Sequence, residues 1–358
     1  MLLLNPGPVT LSERVRRSLL NPDLCHRESE FFDLQDEARS RLLSTYDLDP
    51  ARWAAVLLTA SGTAAVESMV AALVPQNGRL LVVENGVYGE RISLICTHYG
   101  IAHERIIGDW MRAPDYPAIA AKLVSAPEAA RFTHVAVVHH ETTTGRLNDL
   151  GELLALCVKH GAALLVDGVS SFGAEAIDFE NPALSAVAAT ANKCLHGVPG
   201  AAFVIVRRSE LVNAISRTYY LDLLRLARLQ DERNTPFTPA VHAYYALVEA
   251  LREYAEQGGR RARYQRYAEL AERARAGLAA LGIDSAISPK DSSVVLRAYT
   301  LPVGMDYPRL HDALKADGFV IYAGQGNLSK DLFRISTMGA LAAADIDRLL
   351  HSFARLLR

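Results

Sequence analysis

Six short, nearly continuous apolar runs constrain this chain more than any other feature. They lie at residues 56–59, 80–84, 134–139, 163–167, 186–190 and 201–206, and are rich in Val, Leu, Ile and Ala. A strand with one wet face alternates polar and apolar residues, whereas a strand covered on both faces stays apolar throughout. Helical patterns separate most of the runs, at 64–73, 90–99, 117–123 and 150–159. Strand and helix in alternation predict a mostly parallel α/β sheet with helices on both faces. After residue 206 the texture changes. Residues 209–230 read as one helix rich in Leu and Arg, Pro236 to Pro239 is a break, and a long helical stretch over 241–281 is interrupted at Gly258-Gly259. The segments 293–299, 307–317, 320–322, 332–336 and 342–357 then read strand, helix, strand, strand, helix. The expected organisation is an N-terminal arm over 1–15, a large domain over 16–255 and a small α+β domain over 256–358.

Composition narrows the function classes. The net charge of -2 is spread over well-mixed residues, which gives no footprint for nucleic acid or an anionic membrane. Cys25, Cys96, Cys157 and Cys194 form no CxxC pair. They read as free thiols rather than a disulfide frame or a zinc site, and no metal is expected. The start, MLLLNPGPVT, lacks the basic opening and apolar run of a signal peptide. No apolar stretch approaches the roughly 18 residues that span a bilayer. A cytoplasmic protein acting on small molecules is the expectation.

In parallel α/β sheets ligands sit beyond the carboxyl ends of the strands, so the polar residues there matter most. The first run leads into Ser61-Gly62-Thr63 and a helix. Such a turn suits a phosphate, and taken alone it is more often a routine N-cap. The second leads into Asn85-Gly86-Val87-Tyr88-Gly89, whose aromatic could lie on a ring or simply pack. The third ends in His139-His140-Glu141-Thr142-Thr143-Thr144-Gly145, a turn rich in hydroxyls. The fourth ends in Asp167. A carboxylate there is costly to bury without a cation, such as a protonated pyridine nitrogen; a loop cap or a metal ligand are the other readings. Lys193 follows in Ala191-Asn192-Lys193-Cys194-Leu195-His196-Gly197, between two apolar runs. Partial desolvation would lower its pKa and make it a nucleophile, whereas on an exposed loop it would be an ordinary lysine.

Together, phosphate turn, aromatic, hydroxyl, Asp and Lys in that order resemble the fold type I pyridoxal-phosphate enzymes, class V aminotransferase group. Further segments that carry the resemblance are Asn5-Pro6-Gly7-Pro8-Val9-Thr10, Gly318-Phe319-Val320-Ile321-Tyr322-Ala323-Gly324 and Phe333-Arg334-Ile335-Ser336. It implies a large domain built on a seven-stranded sheet, pyridoxal 5'-phosphate as cofactor, and a homodimer with shared sites. Lys193 would carry the cofactor and move the proton, and Asp167 would hold the ring nitrogen. Thr142, or its neighbour Thr143, would reach the ring's phenolic oxygen, with Tyr88 stacked on the ring. Ser61, Gly62 and Thr63 would hold the phosphate, joined by Thr238 from the other subunit. Arg334 would pair with a substrate carboxylate. The narrower likeness is to members that transaminate 2-aminoethylphosphonate with pyruvate. His26 and Arg27 then become candidates for the phosphonate, or else they order the N-terminal loop. Serine/alanine–glyoxylate and phosphoserine transamination are the competing activities, and an idle cofactor-binding protein is the alternative outside catalysis.

Overall fold

The computed structural model of the chain describes residues 1–127 and 131–357. Strands β1 (Trp53–Leu58), β2 (Leu80–Glu84), β3 (His103–Ile107), β4 (His134–Val138), β5 (Ala163–Asp167), β6 (Leu184–Thr190) and β7 (Ala202–Arg207) form one sheet. Their order is β1-β7-β6-β5-β4-β2-β3. All neighbours run parallel except β7, which is antiparallel to both β1 and β6.

Both faces of this sheet are dry, which is why its strands lack alternation. Ala55 and Leu57 of β1 point into a core with α1 (Ser29–Ser44), α4 (Leu150–His160) and α5 (Val241–Glu256). Ala54, Val56 and Leu58 point into the opposite core with α2 (Gly62–Leu73) and α3 (Val87–His98). The fold is therefore the expected α/β architecture with a mostly parallel seven-stranded sheet.

Beyond α5, the left-handed Gly258 (φ +96°) separates it from α6 (Gly259–Ala279). A three-stranded antiparallel sheet follows, of β8 (Leu296–Thr300), β9 (Tyr322–Ala323) and β10 (Leu332–Ser336), in the order β8-β10-β9. It packs with α6, α7 (Tyr307–Ala316) and α8 (Ala343–Leu356) around its own apolar cluster.

Three local expectations are corrected. Strand β3 escaped the apolar pattern because it is an edge strand, His103-Glu104-Arg105-Ile106-Ile107, whose Arg105 pairs with Glu84 of β2. Residues 209–230 are not one helix: helices Arg208–Leu211 and Leu223–Asp231 flank an irregular segment. There Arg217 donates to the carbonyls of Ala71, Val74 and Pro75, and the Ile215 amide donates to Ala72. The end of α2 thus finds the donors that its last carbonyls need, and the segment gives up its own helix to supply them. Lastly, 320–322 is two short strands. Phe319–Val320 pairs with Leu2–Leu3 of the N-terminal segment, and β9 pairs with β10.

Candidate active site

The strand order brings the predicted residues to one edge of the sheet. Moving from β1 toward β2, the turns after β1, β6, β5, β4 and β2 present Ser61, Lys193, Asp167, Thr142 and Tyr88. A cleft of about 240 Å³ is lined by Tyr88, His140, Thr142, Asp167, Val169 and Lys193. Gly62 abuts it, since a Cβ there would meet Val169 at 2.9 Å.

Lys193 sits in a loop tied down on three sides. Cys194 Sγ donates to the Ser170 carbonyl (3.3 Å), and Arg263 Nη1 donates to the Cys194 carbonyl (2.7 Å). His196, held at φ +64°, accepts the Gly339 amide at Nε2 (2.8 Å), with the Tyr267 hydroxyl 2.5 Å from the same nitrogen. The amine itself donates to the Pro6 carbonyl. Gly7, at φ +113°, lies so close that a Cβ would meet the lysine side chain at 2.7–2.9 Å. Burial lowers the Lys193 ammonium to about 8, helped by Arg334 and Arg91 and opposed by Cys194 and Asp167. It is a desolvated lysine with a substantial neutral fraction, as a nucleophile requires.

Asp167 is buried at the end of β5, where the Val169 amide donates to it at 2.9 Å. Burial pushes its carboxyl up to about 6, with Arg91 and Lys193 pulling it down. No ion pair reaches it among the described residues, so it would gain from a bound cation. Arg91 was given no role from the sequence. Its guanidinium lies 4.7 Å from the Tyr88 ring centroid and donates to Thr63 Oγ1 at 3.0 Å. It therefore links the Ser61–Thr63 turn to the aromatic. Ser61 is exposed and makes no capping bond to α2, so its hydroxyl and the helix N-terminus remain available.

The turn after β4 separates its adjacent threonines. Thr142 lines the cleft. Thr143 is fully buried, its hydroxyl donating to Glu141 (2.6 Å) and accepting the Val87 amide (3.2 Å). The second of the two candidates is thus committed elsewhere. His140 was not singled out either. It is buried, its Nδ1 lies 3.3 Å from the Ser170 carbonyl, and its Nε2 has no hydrogen-bond partner among the described residues. Burial lowers it to about 4, so it is neutral near pH 7. Arg334, on β10, is buried and aimed by three contacts. Nε donates to Ala323 (2.8 Å), and Nη1 donates to the Thr142 carbonyl (2.9 Å) and to Gln325 (3.2 Å).

Besides Thr143, three more expected residues lie apart from this cleft. Thr238 lines a separate one of about 330 Å³ with Thr59, Tyr220 and Phe237. Arg27 is exposed and donates to Asn234 Oδ1 (3.2 Å) and the Thr235 carbonyl (2.7 Å), just before Thr238. His26 is half-buried and makes no hydrogen bond among the described residues.

Residues 30–349 match the family described as Aminotransferase class-V. The chain belongs to the class V aminotransferases. A curated relative of this aminotransferase is the 2-aminoethylphosphonate–pyruvate transaminase of Bacteroides fragilis (strain YCH46), 35% identical over 98% of this chain and 97% of its own length. Among solved structures, the aspartate aminotransferase of subgroup IV from Thermus thermophilus is 29% identical, with a TM-score of 0.89 over 100% of this chain and 99% of its own. The alanine–glyoxylate aminotransferase from Nostoc sp. is 26% identical, with a TM-score of 0.91 over 100% and 95%. The expected family and enzyme class stand, and the aminotransferase fold extends over the whole chain.

Proposed function

We propose that this aminotransferase moves the amino group of 2-aminoethylphosphonate to pyruvate, reversibly, forming phosphonoacetaldehyde and L-alanine, with pyridoxal 5'-phosphate held at Lys193. The full-length likeness to a transaminase of that name carries the substrate assignment. The cleft supports the cofactor. It offers a desolvated amine, a buried carboxylate without a cation, a helix N-terminus whose Ser61 is unspent, and the unpartnered Nε2 of His140. These suit the aldehyde, ring nitrogen, phosphate and ring edge of the cofactor in turn.

When bound, pyridoxal phosphate supplies a reactive carbonyl carbon and a protonated ring that accepts electron density. The chain supplies the rest. Asp167 would accept a hydrogen bond from the protonated ring nitrogen, Thr142 would meet the ring's phenolic oxygen, and Tyr88 would cover its face. Ser61, Gly62 and Thr63 would hold the phosphate, with Arg91 adding positive charge beside Thr63. The Lys193 amine would serve as the base for the C1 proton of the aminophosphonate. Arg334 offers its open Nη2 side to the carboxylate of pyruvate or alanine. Because both half-reactions use one cleft, the kinetics are ping-pong.

Thr238, which opens on another cleft, is assigned by the family resemblance to a second copy's phosphate across a homodimer interface. Arg27 holds the Asn234 side chain and the Thr235 carbonyl, which favours an ordering role for it; His26 stays a phosphonate candidate across the same interface. The break at Gly258 supports a boundary between the large and small units near residue 255, whereas helix Glu13–Ser18 runs across the boundary proposed near residue 15. No described helix is long and apolar enough to cross a membrane. Four unpaired cysteines suit a reducing cytoplasm.

The test is direct. Purified protein with added pyridoxal phosphate should show a visible absorbance band that Lys193→Ala lacks, and should form alanine from pyruvate with 2-aminoethylphosphonate as donor. Alanine formation with serine or phosphoserine but not with the aminophosphonate would overturn the substrate assignment.

A further inference from the structure

The turn that presents Thr142 also reaches the helix that carries Tyr88. Helix α3 begins at Val87, and its N-cap, Gly86, has no side chain with which to cap it. The open amides are met from across the sheet edge. Glu141 Oε2 accepts the Tyr88 amide at 3.2 Å, and Thr143 Oγ1 accepts the Val87 amide at 3.2 Å. Glu141 Oε1 in turn accepts the Thr143 amide (3.1 Å) and hydroxyl (2.6 Å). Glu141 has no exposed surface, and any side chain at Gly86 would overlap its carboxyl group. The same turn fixes Arg334, which donates to the Thr142 carbonyl.

We propose that Glu141 is a positioning residue that caps α3 from outside and so holds the Tyr88 ring over the cofactor. The proposal rests on the reading that the Lys193 cleft binds pyridoxal phosphate. An anion at a helix N-terminus is favoured by the helix dipole, and here it receives N–H groups that would otherwise be left without partners. The charged groups facing it are Asp167 of β5 and Arg334 of β10. Burial pushes the Glu141 carboxyl up to about 7, opposed by its bonds to Thr143 and the Gly89 amide and reinforced by Asp167. The cap is therefore at full strength above neutrality and weakens as the pH falls through that value. Coupling through the turn gives Glu141 influence at both ends of the cleft without touching substrate.

A double-mutant cycle tests this, read as the dissociation constant of pyridoxal phosphate and the visible circular dichroism of the bound cofactor. Glu141→Gln should weaken binding about tenfold, in line with the loss of a charged hydrogen-bond acceptor, and should reduce the dichroic band. In a Tyr88→Ala background the same substitution should add little, because its effect passes through the ring. Thr143→Val should reproduce Glu141→Gln, Thr143→Ser should restore wild-type behaviour, and this pair carries the test if Glu141→Gln does not fold. Equal losses in both backgrounds, or no loss at all, would overturn the positioning role. Wild-type protein that takes up no pyridoxal phosphate would instead overturn the reading of the cleft, and this proposal with it.

Discussion

Raising the pH should switch on covalent loading of Lys193, with a break near 8. Only a neutral amine adds to an aldehyde, and an ordinary lysine holds its proton until about 10.5. Burial brings Lys193 to about 8. At pH 7 about one amine in eleven is then neutral, against about one in three thousand for an ordinary lysine, a gain of about 300-fold. The assay mixes cofactor-free protein with pyridoxal phosphate between pH 6 and 10 and follows the growth of visible absorbance. The rate should climb about tenfold per pH unit up to the break and level off above it. The surrounding charges give two signed controls. Arg334→Gln removes a cation that disfavours the ammonium, so the break should move up. Asp167→Asn removes an anion that favours it, so the break should move down. A rate that rises unbroken to pH 10, or variants that shift the break the opposite way, would refute desolvation as the cause of the lowered pKa.

Two other substitutions probe the groups around Lys193 and the cleft. Arg334→Lys keeps the charge but loses the planar fork, so KM for pyruvate should rise about 10- to 100-fold, the worth of a hydrogen bond to a charged group; the visible band should stay unchanged, and its loss would place Arg334 on the cofactor instead. Gly7→Ala puts a Cβ against Lys193 at a backbone conformation of φ +113°, a strain of about 1–3 kcal/mol. It should lower Tm and slow loading, and wild-type values for both would show that the segment yields freely.

What the sequence revealed follows from what burial does to composition. Strands β1, β2 and β4–β7 were legible because both their faces are dry. Strand β3 was not, because an edge strand carries Glu104 and Arg105. Asp167 and Lys193 could be read from their places at strand ends, since a charge beside an apolar run is costly and calls for a reason. Glu141 and Arg91 stood in segments the sequence picked out but drew no role there, because Glu141 meets the Tyr88 amide and Arg91 meets Thr63 from far along the chain. A weaker signal existed for Arg91: it lies three residues after Tyr88 on one helix and so shares its face. Thr142 and Thr143 look alike in sequence, and only the turn's geometry sends one hydroxyl into the cleft and the other beneath α3. Arg217 misled for a similar reason, because a residue with good helix propensity was spent as a cap for another helix.

The N-terminal segment has a mechanical consequence. Its Leu2–Leu3 strand is stitched to Phe319–Val320, its Pro6–Gly7 corner presses on Lys193, and its Arg14 is anchored to Glu249 and Glu256 on α5. It is a belt fastened at both ends, with the reactive amine under the buckle. Any swing of the C-terminal sheet against the larger one pulls on that belt, so the motion of a distant layer is felt as a change in what covers the lysine.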